Sequence, residues 1–230
     1  MANILSPFGL RHWGYREGFA PTYGMKRAKI ALGNTHPIFH GDAVIQLGTG
    51  YIDQPSSNAL TIAGVFQGCE YLSISQGRKV RSPYWPGSDA SADVDAFLID
   101  TGQATFYAQV NGTPGLFADI GANIGIFISS TTTFGGGAAA PTPGSGAGNT
   151  TNGLSGMLLD TAGTNSGGTG AINSTSTLPF RIIGLYSDFL IPFSPVLGAP
   201  SPNGCDQTTN YNFLVVAANN FDAKTLLGTV

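Results

Sequence analysis

No stretch of this chain keeps a helical period of apolar residues over a dozen positions with caps at its ends. Its apolar residues come in short runs, each stopped by Gly, Pro, Asn or Asp. KRAKIAL, AVIQL, ALTIAGVF, GCEYLSI, VDAFLID, ATFYAQV, NIGIFIS, FRIIGLY, DFLIPF and YNFLVVAA all have strand length and strand-like content. A chain so punctuated cannot build a helical core. The expectation is an all-β fold, a sandwich or jelly-roll-like barrel whose closed or paired sheets protect their edges. VDAFLID and ATFYAQV, joined by TGQ, read as a hairpin. Phe106, Ala108 and Val110 then share one face of the second strand. VRSPYW reads as an edge strand or turn, because Pro83 and Pro86 donate no ladder hydrogen bond.

Two stretches depart from this pattern. Residues 1–25 interleave Phe8, Leu10, Trp13, Tyr15, Phe19 and Tyr23 with Gly and Pro. Such a segment cannot bury its own rings, so it reads as an extended N-terminal arm lying along its own domain or a neighbouring subunit. Residues 26–230 then form a single β domain. Within it, 129–178 is a Gly/Thr/Ser-rich insertion or long loop whose one charge is Asp160. The island GLSGMLLD is apolar enough to pin that excursion as a short strand.

Only 10% of the 230 residues are charged, and the net charge is −3. That balance offers no general attraction to nucleic acid or to an anionic membrane, and no apolar run has the length of a spanning helix. The N-terminus lacks the basic and apolar regions of a secretory signal. The cations cluster: Arg11, Arg16, Lys26, Arg27 and Lys29 form one group, Arg78, Lys79 and Arg81 another, and residues 82–180 contain none. These groups read as a contact face or as ordinary salt bridging. Cys69, in an apolar run, reads as a buried thiol, and Cys205 as a loop residue.

The chemistry-bearing residues form no recognisable machinery. His36, His40 and Asp42 lie close in HPIFHGD, but Pro37 and Gly41 oppose the helix that would align the imidazoles, and no third ligand set follows. Turn and packing roles are expected for them. A Ser or Cys nucleophile would need a GxSxG elbow or equivalent, and none is present. Asp93 and Asp95 share one strand face and Asp100 the other, which reads as a solvated strand rather than a carboxylate pair. No phosphate loop and no cofactor motif occurs. The expectation is a protein that is not an enzyme, with no catalytic, cofactor or metal residues.

Several segments taken in order resemble the head-decoration, or cement, proteins of tailed bacteriophages. SPFGLRHWGY resembles their opening, and FHGDAVIQLGTGYID a recurring strand and Gly turn. GVFQGCEYL with VRSPYWPG resembles their central block, and VDAFLIDTGQATFYAQV the segment after it. NGLSGMLLD, FRIIGLY and YNFLVVAANNF resemble their ending. The departures are the Gly/Thr-rich stretch at 129–150 and the loop at 196–210. The resemblance implies a structural protein on the outer surface of an assembled phage head, bridging capsomers and stabilising the shell.

The partners implied are the lattice of the major capsid protein and further copies of this chain, as dimer or trimer. No nucleic acid and no membrane is expected as a partner. Assembly in the host cytoplasm would keep both cysteines reduced, so no disulfide is expected. The alternative is a tail, fibre or adhesin component contacting a host surface. Aromatic and Arg side chains are the usual interface anchors. The expected contact residues are therefore Phe8, Leu10, Arg11, Trp13, Tyr15 and Arg16 on the arm, and Arg78, Arg81, Tyr84 and Trp85 in the second cationic group.

Overall fold

The computed structural model describes residues 5–16, 24–55, 61–100, 102–128, 148–163, 172–173, 178–186 and 210–220. Among these residues the fold is all-β, with antiparallel strand pairing throughout its sheets and one short 3-10 turn at Phe117–Asp119. The first strands are β1 (Arg11–Tyr15), β2 (Lys26–Ile30), β3 (Ala43–Gln46), β4 (Ile52–Asp53) and β5 (Gly64–Leu72). Then come β6 (Lys79–Ser82), β7 (Val94–Ile99), β8 (Ala104–Gln109), β9 (Asn123–Phe127) and β10 (Gly148–Asn149). The last are β11 (Leu154–Ser155), β12 (Leu158–Asp160), β13 (Ile172–Asn173), β14 (Phe180–Leu185) and β15 (Phe213–Ala218).

A seven-stranded sheet runs β1-β8-β15-β14-β9-β12, with β13 also on β9. A six-stranded sheet runs β2-β7-β5-β3-β4, with β6 also on β5. β10 and β11 form a separate two-stranded ribbon. The expected hairpin of β7 and β8 does not form, although both runs are strands. β7 has β2 on one edge and β5 on the other, and β8 has β1 and β15. Each strand's ladder groups are already paired on both sides, so the two strands belong to different sheets. Local turn chemistry could not reveal that competition.

Two cores lie on opposite faces of the six-stranded sheet. The first lies between the two sheets and includes Leu10, Phe106, Ile124, Met157, Phe180, Ile182, Leu214 and Val216. The second includes Ile30, Ile38, Phe66, Cys69, Tyr71, Trp85, Val94 and Leu98. The wall between them has a simple cause in the strand period. Ala43 faces the first core and Val44 the second; Ile62 and Ala63 divide in the same way, as do Val65 and Phe66. Alternation here does not separate apolar from polar. It deals successive apolar residues to two cores, as in a strand buried on both faces. A register shift between Phe66 and Gly68 then re-aims β5, so that Cys69 and Tyr71 stay in the second core while Glu70 points outward.

The arm is partly domain. Within residues 5–16, β1 pairs with β8 and Leu10 is 1% exposed. Leu10 is therefore a core residue and not a partner contact. Trp85 requires the same correction. It is fully buried, edge-on to Tyr71 at 5.3 Å, and is the largest side chain of the second core. Its indole could reach a partner only by unfolding the domain. Phe19 and Tyr23 lie outside the described residues, as does Cys205. GLSGMLLD does pin its part of the 129–178 stretch: β11 and β12 lie within it, and Ser155, Met157, Leu158, Leu159 and Asp160 are buried.

Candidate functional site

The seven-stranded sheet has one face in the first core, so its alternate residues point outward. On β8, Phe106 and Ala108 face the core and Tyr107 faces out; on β15, Leu214 and Val216 face in and Phe213 out. Arg11 stands directly opposite Tyr107, and a bulge between His12 and Gly14 adds Trp13 to the same surface. Tyr186 follows β14 and donates its amide to the Phe213 carbonyl at 3.0 Å.

These side chains form a continuous aromatic surface. Tyr107 stacks on Tyr186 at 4.7 Å, and Trp13 meets Tyr186 edge-on at 4.9 Å. Phe8 lies 5.5 Å from Tyr107 and 5.7 Å from Phe213. The Arg11 guanidinium is 6.0 Å from the Phe8 ring centre. Trp13 is 44% exposed, and the other four rings are half-buried. Rings that support one another this way are already ordered, so binding through them loses little side-chain entropy.

Phe8 reaches this face because residues 6–10 cross the edge of the fold. The Ser6 amide donates to Gln109 Oε1 at 2.8 Å, which ties the segment over the outer face. Gly9 then turns inward at φ +76°, where a Cβ would lie 2.5 Å from the Ser155 Cβ. Only glycine allows that approach. The Leu10 amide donates to the Gly41 carbonyl at 2.8 Å, and Leu10 enters the core.

Beneath this crossing lies a buried polar junction. Asp42 is 1% exposed and accepts hydrogen bonds from the Ser155 hydroxyl and, at 2.7 Å, from the Phe39 amide. Burial raises its carboxyl to about 7 despite those bonds. His40 donates its amide to the Gly153 carbonyl, and its own carbonyl accepts from the Ser155 amide. Its imidazole is held below the ordinary range by burial and by the Arg11 charge. His36 is elsewhere, with Nδ1 on Asp53 Oδ2 at 2.9 Å. The HPIFHGD residues thus serve turns and packing, and among the described residues no cluster of three His, Cys, Asp or Glu could hold a metal ion.

The remaining expected contacts scatter. Tyr15 packs toward the first core and against His12, and Arg16 is exposed just after β1. Arg78 lies on the β5–β6 turn with Nε on Gln76. Arg81 stands on β6 of the six-stranded sheet, 5.3 Å from the Phe97 ring centre. Tyr84 stacks on Phe39 at 5.4 Å. Of the ten residues expected, only Phe8, Arg11 and Trp13 meet in the aromatic surface. Tyr107, Tyr186 and Phe213 were missed. Their signal was present for Tyr107, an aromatic in the outward phase of a strand whose inward phase is Phe106, Ala108 and Val110. Cys69 is buried as expected, and burial pushes its thiol up to about 12, which leaves it unreactive. No family model, curated protein or solved structure matches the chain.

Proposed function

We propose that this chain is a structural protein of a phage virion that decorates the assembled head. It docks through the surface of Phe8, Arg11, Trp13, Tyr107, Tyr186 and Phe213 and bridges neighbouring subunits of the capsid lattice. The observation that carries the reading is this five-ring surface, built on the outside of a sheet whose inside is core. A soluble domain has no folding reason to place that many rings outward, and such patches mark protein contacts. Its chemistry calls for an apolar partner surface with a hydrogen-bond acceptor for Arg11, which makes no ion pair among the described residues. The order of resembling segments supports the head as the place of binding.

The mechanism is preferential binding. A protein that binds only the assembled shell stabilises that state by the free energy of binding, and many copies on one shell act together. The test is co-sedimentation of the purified protein with assembled, undecorated heads. Wild-type protein should pellet with the heads, and the Trp13→Ala/Tyr107→Ala variant should stay in the supernatant while remaining folded. Equal pelleting of the folded variant would overturn the docking face. Failure of wild-type protein to pellet with heads would overturn the decoration reading itself.

A further inference from the structure

The Asp42 junction joins three segments that are remote in sequence. From residues 8–10, the Leu10 amide bonds to Gly41, and Gly9 lies against Ser155. From residues 39–42 come the carboxyl of Asp42 and the backbone of His40. From residues 153–157, Ser155 gives its hydroxyl to Asp42 and its amide to His40, and the Met157 amide donates to the Ser155 hydroxyl oxygen. The first of these segments carries Phe8, Arg11 and Trp13. Whatever holds the junction also holds the aromatic surface in shape.

Gln54 makes the junction unusual. It is 3% exposed, and neither its carboxamide oxygen nor its nitrogen reaches a partner at ordinary hydrogen-bond geometry. Its side chain lies beside the Asp42 carboxyl. The Gln54 oxygen is able to accept from a protonated carboxyl, which gives the neutral form of Asp42 a buried acceptor. A buried amide beside a buried acid is therefore suited to holding the neutral form.

We infer that Asp42 is a proton-controlled latch: its neutral form holds residues 8–10, 39–42 and 153–157 together, and its ionisation loosens the junction. The effect on head binding rests on the proposed docking face, but the latch itself does not. The direction follows from burial, which is the largest influence on this carboxyl and opposes its charged form. No charged side chain compensates. Ser155, Gln54 and the Phe39 amide, the groups that act on Asp42, are all neutral. Residues 8–10 and 153–157 contain no titratable side chain. His40 turns its Nδ1 to the Gln67 carbonyl at 3.3 Å, and burial and the Arg11 charge hold its imidazole below the ordinary range. Arg11 acts on His40, and Asp53, beside Gln54, is engaged by Asn34 and His36.

The test is hydrogen exchange of the Leu10 and Ser155 amides in the isolated wild-type protein, corrected for the intrinsic pH dependence of exchange. Between pH 5 and pH 7, local opening should rise roughly 50-fold, then level off above about pH 8. Asp42→Asn, which keeps a neutral group of the same shape, should show no such rise. Unchanged protection in wild-type protein, or the same rise in the Asn variant, would overturn the latch. The carboxyl carbon resonance of Asp42 in wild-type protein gives a readout that needs no variant. A midpoint near neutrality supports the latch, and a midpoint below about 5, close to an ordinary carboxyl, overturns it. Neither measurement involves capsids, so a latch that titrates in a protein that ignores heads would sink only the docking reading.

Discussion

Two exposed sheet surfaces of this domain differ in kind. On the same face as Val65 and Ile99, beyond the first core, the six-stranded sheet presents a row of charges across its strands: Lys29 opposite Asp95, Asp95 opposite Glu70, and Glu70 opposite Arg81. Lys29 reaches Asp95 at 2.8 Å and Lys79 reaches Glu70 at 2.9 Å, while Arg27 and Arg81 lie over the Phe97 ring. The two clusters of cations seen in the sequence thus meet partly on one face, most of them paired with a carboxylate or with one ring. The seven-stranded sheet presents five rings and a single guanidinium instead. The first face is satisfied by itself and by water. The second leaves aromatic area exposed, and that asymmetry is the ground for proposing the docking surface there. In the proposed reading, charge and docking are divided between two sheets of one fold.

The comparison can be broken at its foundation first. Both faces depend on the cores behind them, so Trp85→Ala should destabilise the domain by roughly 3–5 kcal/mol in urea unfolding, the range for emptying a large aromatic site. A loss below about 1 kcal/mol would mean that Trp85 is not core. Next comes the junction under the aromatic face. The Asp42 carboxyl moves from an ordinary 3.8 to about 7 on folding. A raised folded value means that the contribution is fully present below the unfolded value and is lost as pH rises through the folded one. Stability should therefore fall by about 4 kcal/mol from about pH 3 to about pH 8 through this group, at 1.36 kcal/mol per unit, and then flatten. Asp42→Asn should remove that slope in denaturant titrations across pH.

Smaller effects separate the faces themselves. Trp13→Ala should lower affinity for heads by about 2 kcal/mol, roughly 30-fold, as an interface anchor does, with a much smaller change in stability. Lys29→Ala or Lys79→Ala should alter stability by less than about 1 kcal/mol, less still in high salt, and leave head binding intact. If the lysine variants lose binding and the Trp13 variant keeps it, the two faces have been assigned the wrong way round.

Much of the strand content was legible because period and punctuation are local. Phe106, Ala108 and Val110 did prove to share the buried phase of one segment, which left Tyr107 outward. The candidate site was less legible. Leu10 and Trp85 have the residue types of interface anchors, but the same types fill cores, and only burial separates the two uses. Leu10 turned inward because Gly9 and Gly41 let two backbones approach closely. Tyr186 and Phe213 lie far from Trp13 in the chain, and only the β8–β15–β14 order brings them beside it.

By itself, the sequence determined that this chain is built of strands, where most of them run, and that charge is scarce and clustered. Those properties follow from alternation and turn residues within a few positions. Tertiary structure alone decided which strands pair, which apolar residues feed which core, and which rings stay outside. Pairing is a competition among all available strand edges. That is why VDAFLID and ATFYAQV, neighbours in the chain, lie in different sheets, and why a buried acid at residue 42 holds a serine at residue 155.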